Sequence, residues 1–439
     1  MNRRSKLAER TFFATVALLL LLNLGMTTTA LRLASADDTA LARGLSLPAQ
    51  AAWNRMHDFR IGRIYADAKF ALLEQLMLVP SDAVHAALRI GAFLGALLTA
   101  AWFTWEWRRS ERAVWLVVCA GSGFLPVAIA YQALLSYPLL WIGWAGVWTM
   151  GALALRPESA WGRSGIAVAF AVALAAHESN AVFLVWPAML RRAAGDSDHP
   201  KTILREAAPC AVVLSVYAAL SWGLRSAALA ATTADVYDGA KVALDFRGAV
   251  FALCTYTGSG LPGLDSWLAR NSDPSGPLWL SLPAWWHRAG EWTTPLSVVG
   301  ASLLGAAVWL GTAADEGDRE RPRIHAIGIG AALGFAAFAP NLLLALTVKY
   351  QAWAHQRMWP YYYTSMSYLA WLVLLVGVGA GLLAALRNAA AHRTVRVALA
   401  AGVIAAAIGV SAANHEAAGL LLRHTFIHMV EYRQWMLSP

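Results

Sequence analysis

Long apolar runs with few or no charged residues divide this chain along most of its length. Each run holds roughly 18 to 24 residues, and a helix of that length crosses the roughly 30 Å of hydrocarbon in a bilayer. The alternating pattern of a membrane β-barrel is not seen. Composition agrees, because 58% of the residues are hydrophobic and 14% are charged, against about 25% charged in an ordinary soluble domain. The sequence therefore predicts an all-α, polytopic helical membrane protein.

The runs place about eleven transmembrane helices in one integral membrane domain, residues 1–439, with no separate soluble domain. The predicted helices span residues 11–33, 85–107, 113–131, 134–155, 165–176, 180–190, 207–224, 294–312, 325–347, 364–386 and 397–414. The fifth and sixth are short for a full span, so we expect a hairpin whose tip lies within the membrane. Apolar stretches inside the long polar loops predict helices that lie on the membrane or cap a cavity.

Basic residues orient these helices. Six segments rich in arginine or lysine fall at alternate connections between the helices, so they lie on one side of the membrane. The positive-inside rule makes this side cytoplasmic. These segments are MNRRSK, RRSER, RPESAWGR, RRAAGDSDHPKTILR, DRERPR and RNAAAHRTVR. The connections AYQALLSYP and AAHESN lack both residues and are expected outside. The N-terminus is then cytoplasmic and the C-terminus external, with external loops at about 34–84, 225–293 and 348–363.

The net charge of +9 reflects these scattered orientation signals, so no nucleic-acid partner is expected. Usage rich in Ala, Arg and Trp favours a bacterial inner membrane, with the external side periplasmic. Cys119, Cys210 and Cys254 lie far apart and indicate neither a disulfide framework nor a metal centre. The first run also resembles a signal peptide, with ASA before Asp37, but its apolar stretch is nearer the length of a span.

Two adjacent carboxylates, Asp37 and Asp38, follow the first run in the stretch ASADDTALARG. Such a pair repels, and each carboxylate raises the proton affinity of the other. A chain tolerates the pair in a solvated turn or uses it where a proton or cation is handled. Arg60 and Arg63 belong to the same external loop, and a solvated amphipathic loop is the alternative explanation for them.

The connection AAHESN places His177, Glu178 and Asn180 in the predicted hairpin. Ionisable groups at membrane depth are costly and usually functional, although a hydrogen-bonded turn is the alternative here. The later segment NHEAAG, with His415 and Glu416, is explained by a terminal amphipathic helix.

The segment VKYQAWAHQRMWPYYY carries Lys349, His355, Arg357 and Tyr361 among aromatic residues. Cations beside aromatic side chains at the outer interface suit a phosphate head group joined to an apolar tail. An aromatic belt with snorkelling cations is the alternative.

Together these segments resemble the GT-C superfamily of polytopic glycosyltransferases. The acidic pair after the first helix, followed by DFRIGRIY, is similar to the acidic motif and amphipathic stretch of the first external loop in that superfamily. AAHESNAVFLVWPAML looks like its hairpin between two short helices, and HQRMWPYYY like its late external basic segment. This chain departs from the pattern at His177 and Glu178, where many relatives have lysine, and no large C-terminal soluble domain follows.

The resemblance implies inverting transfer of a sugar from a polyprenyl phosphate, such as undecaprenyl or decaprenyl phosphate, to a hydroxyl of a glycan, lipid or protein. Asp37 would be the general base, and Asp38 would orient it or bind the acceptor. The sequence leaves open whether a divalent cation binds at Asp37 and Asp38. The donor phosphate and lipid would be bound by Arg357, His355, Lys349, Arg60 and Arg63, and the substrate cavity would include His177, Glu178, Asn180 and Tyr361.

Other classes of protein remain as alternatives. A polysaccharide polymerase or ligase, or an oligosaccharyltransferase, uses a similar lipid-linked glycan and differs in what is transferred. A lipid or glycan flippase would more often carry charges within its spans and show inverted repeats, which this sequence lacks. A non-enzymatic assembly subunit would have no need for acidic and basic groups on one external face.

Overall fold

The structure, a computed structural model, describes residues 3–29, 82–125, 128–129, 132–133, 138–157, 159–195, 200–230, 241–243, 245–262, 290–312, 323–355, 361–386 and 389–436. Within these ranges the chain is helical apart from one pair of two-residue strands. The elements are α1 (Arg3–Thr29), α2 (Asp82–Arg108), α3 (Glu111–Gly123), β1 (Ala128–Ile129), β2 (Gln132–Ala133), α4 (Pro138–Ala154), α5 (Ala160–Ala176), a 3₁₀ helix (Glu178–Val185), α6 (Trp186–Ala193), α7 (Pro200–Ala230), α8 (Phe246–Ser259), α9 (Pro295–Gly311), α10 (Arg323–Ala345), α11 (Val348–His355), α12 (Tyr361–Ala385) and α13 (Ala389–Met436).

Every predicted apolar run overlaps a helix of the structure. Among the described residues, five helical stretches are long and apolar enough to cross a membrane: Ser5–Gly25, Ala86–Arg108, Ala207–Ala230, Ile327–Ala345 and Ala390–His415. Four shorter apolar helices accompany them: Pro138–Ala154, Ala160–Ala176, Pro295–Gly311 and Ser367–Gly381. The predicted class, a helical membrane protein, is confirmed. The count of eleven spans stays a prediction.

Two predicted helix boundaries are wrong. The third run was expected to be helical to residue 131, but α3 ends at Gly123 and Phe124 has left the helical conformation (φ −104°, ψ 0°). Leu125 precedes Pro126, and a residue before proline is driven out of the α region by the pyrrolidine ring. The last helix is longer than the predicted 397–414, because α13 continues without interruption to Met436.

The core is built from aromatic side chains where α2, α4 and α6 meet. Phe103, Trp148 and Trp186 are fully buried, and each ring contacts the other two at centroid distances of 5.2 to 5.7 Å. Gly151 makes room for this cluster, since a Cβ there would lie 2.7 Å from the Trp186 ring. The indole of Trp186 also donates to the carbonyl of Ala332, which ties α6 to α10.

The basic segments of the sequence meet at one end of the helix bundle, here called the basic end. Arg112 pairs with Glu9 at 2.6 Å, which joins the start of α3 to the start of α1. Arg156, after α4, pairs at 2.9 Å with Glu106 near the end of α2. Further contacts bring in α6, α9, α10 and α13: Arg191 to the Arg156 carbonyl, Arg396 to the Trp309 carbonyl, and Ala193 beside Gly328. The other ends of these helices form the opposite end of the bundle.

Candidate functional site

The predicted catalytic residues Asp37 and Asp38, together with Arg60, Arg63 and Arg357, lie outside the described residues. Tyr361 is the first residue of α12, and the structure describes only its place in that helix. The structure does show at which end of the bundle the chain leaves α1 toward Asp37. The helix α1 starts at the basic end, so its C-terminus at Thr29, from which the chain continues to Asp37, lies at the opposite end.

His177 forms the break between α5 and the 3₁₀ helix. It has extended backbone (φ −162°, ψ 132°) and ends one helix while capping the next. Its Nδ1 accepts a hydrogen bond from the Ser179 amide at 3.2 Å and lies 2.8 Å from the Ser179 hydroxyl. The imidazole ring thus acts as a hydrogen-bond acceptor toward the backbone at Nδ1. The side chain is buried and serves first as an N-cap.

Asn180 is also buried, and its amide donates to the Ala173 carbonyl at 2.8 Å, near the C-terminus of α5. Its Oδ1 has no hydrogen-bond partner among the described residues. Glu178, the first residue of the 3₁₀ helix, is half-buried. The structure therefore gathers three of the four predicted cavity residues at one helix break, and two of them make the hydrogen-bonded turn that was the alternative.

Lys349 and His355 lie on α11, a short helix that follows α10 at the opposite end of the bundle. The Lys349 ammonium sits 4.3 Å from the centre of the Trp353 ring. His355 is exposed and its ring stacks on Phe251 of α8 at 5.1 Å. Six residues of helix separate the two cations by about 9 Å along the axis and about 120° around it, so they occupy different faces.

The helices α8 and α11 are fastened to each other, although the sequence places them in separate external loops. Val242 and Thr347 form an isolated antiparallel bridge, and the Gln351 amide donates to the Asp245 carbonyl at 3.3 Å. The Tyr256 hydroxyl donates to the Tyr350 carbonyl. Burial raises the pKa of the Tyr256 phenol, with a smaller contribution from Tyr350, so the phenol stays protonated and remains a donor.

A polar network that the sequence did not predict anchors α8 to the bundle. Asn341 is fully buried and donates to the Thr257 hydroxyl at 3.1 Å and to the Ser367 hydroxyl at 2.8 Å. The Ser367 hydroxyl in turn donates a hydrogen bond to the Ala337 carbonyl. The Trp371 indole donates to the Thr257 carbonyl at 2.8 Å. These contacts hold the cation-bearing α8–α11 unit against α10 and α12.

A cleft lies between α1, α3, α9 and α13 and encloses about 80 Å³. Its polar lining residues were also missed from the sequence: Asn23, Ser122, Ser297, Ser411 and Asn414. The Ser297 and Ser411 hydroxyls are 2.8 Å apart and join α9 to α13, and the Asn414 amide donates to the Leu125 carbonyl at 3.0 Å. The available signal was a single polar residue near the end of each apolar run, as in the stretch LLLLLNLG.

Comparison of this chain with family models, with curated proteins and with solved structures gives no match.

Proposed function

We propose that this protein is a membrane glycosyltransferase that moves a sugar from a polyprenyl phosphate to an acceptor hydroxyl. The observation that carries the proposal is where α1 ends. The helix α1 ends at the end of the bundle opposite to the basic end, and the chain continues from there to the acidic pair Asp37 and Asp38. The cations of α11 and the polar cleft lie at that same end. The transfer of a sugar from a lipid phosphate needs acidic residues, cations and a cleft on the same side of the membrane.

We further propose eleven spans, with the N-terminus in the cytoplasm and the C-terminus and acidic pair in the periplasm of a bacterium. The contacts of Arg112, Arg156, Arg191 and Arg396 at the basic end support this orientation, since cytoplasmic ends carry the excess of basic residues. Lys349 and His355 are then external, as is the helix break at His177.

The transfer itself needs a base and an anion site. A carboxylate of Asp37 takes the proton of the acceptor hydroxyl while that oxygen bonds to the anomeric carbon. The bond from this carbon to the phosphate oxygen breaks on the other face, and polyprenyl phosphate leaves with the electron pair. Attack opposite the leaving group inverts the anomeric centre. Asp38 orients Asp37 or the acceptor.

The leaving phosphate gains negative charge as the bond breaks, so fixed cations lower the energy of the transition state. Arg357 is two residues past His355, just beyond α11, and a guanidinium binds phosphate through two parallel hydrogen bonds. Lys349 and His355 lie on different faces of α11, and both are proposed to contribute to binding of the donor phosphate and lipid. Arg60 and Arg63 are proposed to contribute from the first loop.

The test is product analysis of membranes that contain the wild-type protein, Asp37→Asn or Asp38→Asn at matched level. Amide replacement keeps the shape and removes the base, so Asp37→Asn is expected to reduce transfer about a hundred-fold to ten-thousand-fold. Asp38→Asn is expected to reduce it less. Asp315→Asn is the matched control, because Asp315 and Glu316 form another adjacent acidic pair, in a segment assigned to the cytoplasm.

Wild-type amounts of glycosylated product in the double variant Asp37→Asn with Asp38→Asn would contradict the proposal. Mass spectrometry of surface glycans, lipids and proteins, with and without the chain, separates it from its nearest alternative. Loss of a single sugar supports a transferase, whereas loss of a long polymer supports a polymerase or ligase.

A further inference from the structure

One outward-facing stripe of α4 is left uncovered between the neighbouring helices α2 and α5. The stripe consists of residues three or four positions apart, which lie on one side of a helix. Its members are exposed or half-buried: Ile142, Ala145, Thr149 and Leu153. Every other residue of α4 from Leu140 to Ala154 is buried. The stripe is therefore the floor of a groove on the outside of the bundle, here called the α4 groove.

The walls of the α4 groove are apolar and exposed. Leu98 of α2 is 58% exposed, and Val168 of α5 is 64% exposed. Leu153 reaches the α5 wall, because a Cβ at Gly165 would lie 2.9 Å from the Leu153 side chain. From Leu153 to Ile142 the floor extends about 16 Å along the helix, close to the roughly 15 Å of hydrocarbon in one leaflet. The groove therefore matches the length of one acyl chain.

A cation closes the groove at the basic end. The guanidinium of Arg156 lies 5.0 Å from the centre of the Trp102 ring, so it reaches from the end of α4 to the α2 wall. Trp102 is one helical turn from Leu98, on the same side of α2. The Arg156 amide donates to the carbonyl of the floor residue Leu153 at 3.2 Å. The apolar groove thus ends at an arginine stacked on a tryptophan, a combination suited to the boundary between hydrocarbon and head groups.

The mouth of the groove carries an excess of positive charge. Arg156 and Arg109 share one carboxylate, that of Glu106, at 2.9 Å and 2.5 Å. Two guanidinium groups against one carboxylate leave one positive charge in excess. Glu106 is 1% exposed, whereas both arginine side chains are about half exposed, so the excess charge is accessible. In the part of the chain that the structure describes, Arg156 donates side-chain hydrogen bonds only through Nε, which leaves the N–H groups of Nη1 and Nη2 for a ligand.

The neighbouring charges do not remove this excess. Two more carboxylates described at the basic end have arginine partners of their own: Glu9 with Arg112 and Glu111 with Arg10. Arg191 adds a further positive charge beside the mouth, since its guanidinium donates to the Arg156 carbonyl at 3.1 Å. A ligand that fits both parts of the site is therefore negatively charged at one end and apolar along the rest.

We propose that the α4 groove binds an anionic glycerophospholipid, with its phosphate at Arg156 and Arg109 and an acyl chain along the floor. A guanidinium binds phosphate through two parallel hydrogen bonds, and one lipid phosphate neutralises the excess charge of the shared pair. Basic pockets between membrane helices at the cytoplasmic side bind the head groups of anionic lipids in this way. A zwitterionic lipid brings an ammonium group that the same arginines repel. The site does not depend on the proposed transfer of a sugar.

The test is lipid retention by the purified full chain, measured by native mass spectrometry. The probes are phosphatidylglycerol and phosphatidylethanolamine with identical acyl chains. We expect about tenfold greater retention of phosphatidylglycerol, and a loss of about tenfold in Arg156→Gln. Arg10→Gln is the matched control with unchanged retention, because Arg10 is also half exposed and paired with one carboxylate but lies on α1.

Photolabelling of the wild-type chain gives a second measurement that a folding defect in a variant does not affect. The probe is a phosphatidylglycerol that carries a diazirine midway along one acyl chain, and mass spectrometry locates the labelled peptides. Labels are expected on the floor near Thr149 or on the walls near Leu98 and Val168. An excess of unlabelled phosphatidylglycerol is expected to reduce these labels, and inorganic phosphate is not.

Equal retention of the two lipids, or an equal loss in Arg156→Gln and Arg10→Gln, would show a general attraction to basic surface and overturn the site. Labels confined to helices other than α2, α4 and α5 would overturn the groove. Displacement by inorganic phosphate would also contradict the proposal, because the site would then bind an anion without its lipid. Both measurements are made without a sugar donor, so the lipid site and the proposed glycosyltransferase function stand or fall separately.

Discussion

The first prediction concerns Glu106, a buried carboxylate at the basic end whose contacts hold α2, α3 and α4 together. The Glu106 side chain is 1% exposed, and its Oε1 accepts from the Trp102 indole at 3.0 Å and from Arg156 at 2.9 Å. Its Oε2 has the Arg109 guanidinium at 2.5 Å, as an ion pair without hydrogen-bond alignment. Arg109 itself adopts a left-handed backbone (φ 51°) at the turn between α2 and α3.

Glu106→Gln keeps the shape of this side chain and removes its charge. Whichever way the new amide is turned, its NH₂ group faces Arg156 or Arg109, so one contact becomes repulsive. The remaining hydrogen bonds lose their charge assistance, which is worth about 1 kcal/mol each. Because both arginines are about half exposed, solvent screens part of the loss. We expect a total loss of about 2–3 kcal/mol in the free energy of unfolding.

Glu111→Gln is the matched control, since Glu111 pairs with Arg10 and both side chains are about half exposed. An exposed pair contributes at most about 1 kcal/mol. Thermal unfolding in detergent, followed by the loss of monodisperse protein, is the measurement. The midpoint is expected to fall by about 2–5 °C in Glu106→Gln and by no more than about 1 °C in Glu111→Gln. Equal shifts in the two variants would refute the assignment of a stabilising buried cluster.

Three further predictions test the helix packing, the topology and the phosphate site. Gly377→Ala on α12 places a Cβ against the Trp107 indole and should lower the unfolding midpoint, whereas Gly379→Ala has open space and should not; equal midpoints would contradict the close approach of α12 to α2. A reporter active only outside the cytoplasm should work when fused after Ser438 and fail after Arg387, and the reverse pattern would invert the orientation. Arg357→Lys should lose most transfer activity at normal membrane insertion, because an ammonium lacks the planar fork; full activity would reduce Arg357 to a point charge.

Hydrophobic runs were sufficient to locate the helices, but local signals determined where those helices stop. Each predicted run falls on a helix because burying backbone polar groups in hydrocarbon requires the hydrogen bonds of a helix. The early end of α3 depends on Pro126, a signal that a hydropathy window averages away. In the opposite case, Pro209 and Pro340 lie inside α7 and α10 without ending them. The presence of proline alone therefore does not decide where a helix ends, since membrane helices tolerate proline where other groups satisfy the freed carbonyl.

One part of the candidate site could be predicted from the sequence and another part could not. His177, Glu178 and Asn180 lie within four residues of sequence, and the structure places them at one break between helices. The cleft was not predicted, because its polar residues come from four distant runs and each alone is an ordinary polar residue in an apolar helix. The Ser297–Ser411 hydrogen bond joins positions 114 residues apart. Such a pairing is visible only once α9 is known to pack on α13.

The distribution of charge at the opposite end of the bundle gives the proposed reaction its order. Among the described residues, two cations available to an anionic donor stand on α11 beside aromatic rings: Lys349 lies over Trp353 and His355 stacks on Phe251. The cleft beside α1 offers only neutral groups. A phosphate moved from the first environment to the second would lose its electrostatic partners, so an anionic donor is favoured beside the cations rather than in the cleft. In the proposed reaction, Asp37 and Asp38 would repel the donor phosphate and would remain available to the acceptor hydroxyl as a base.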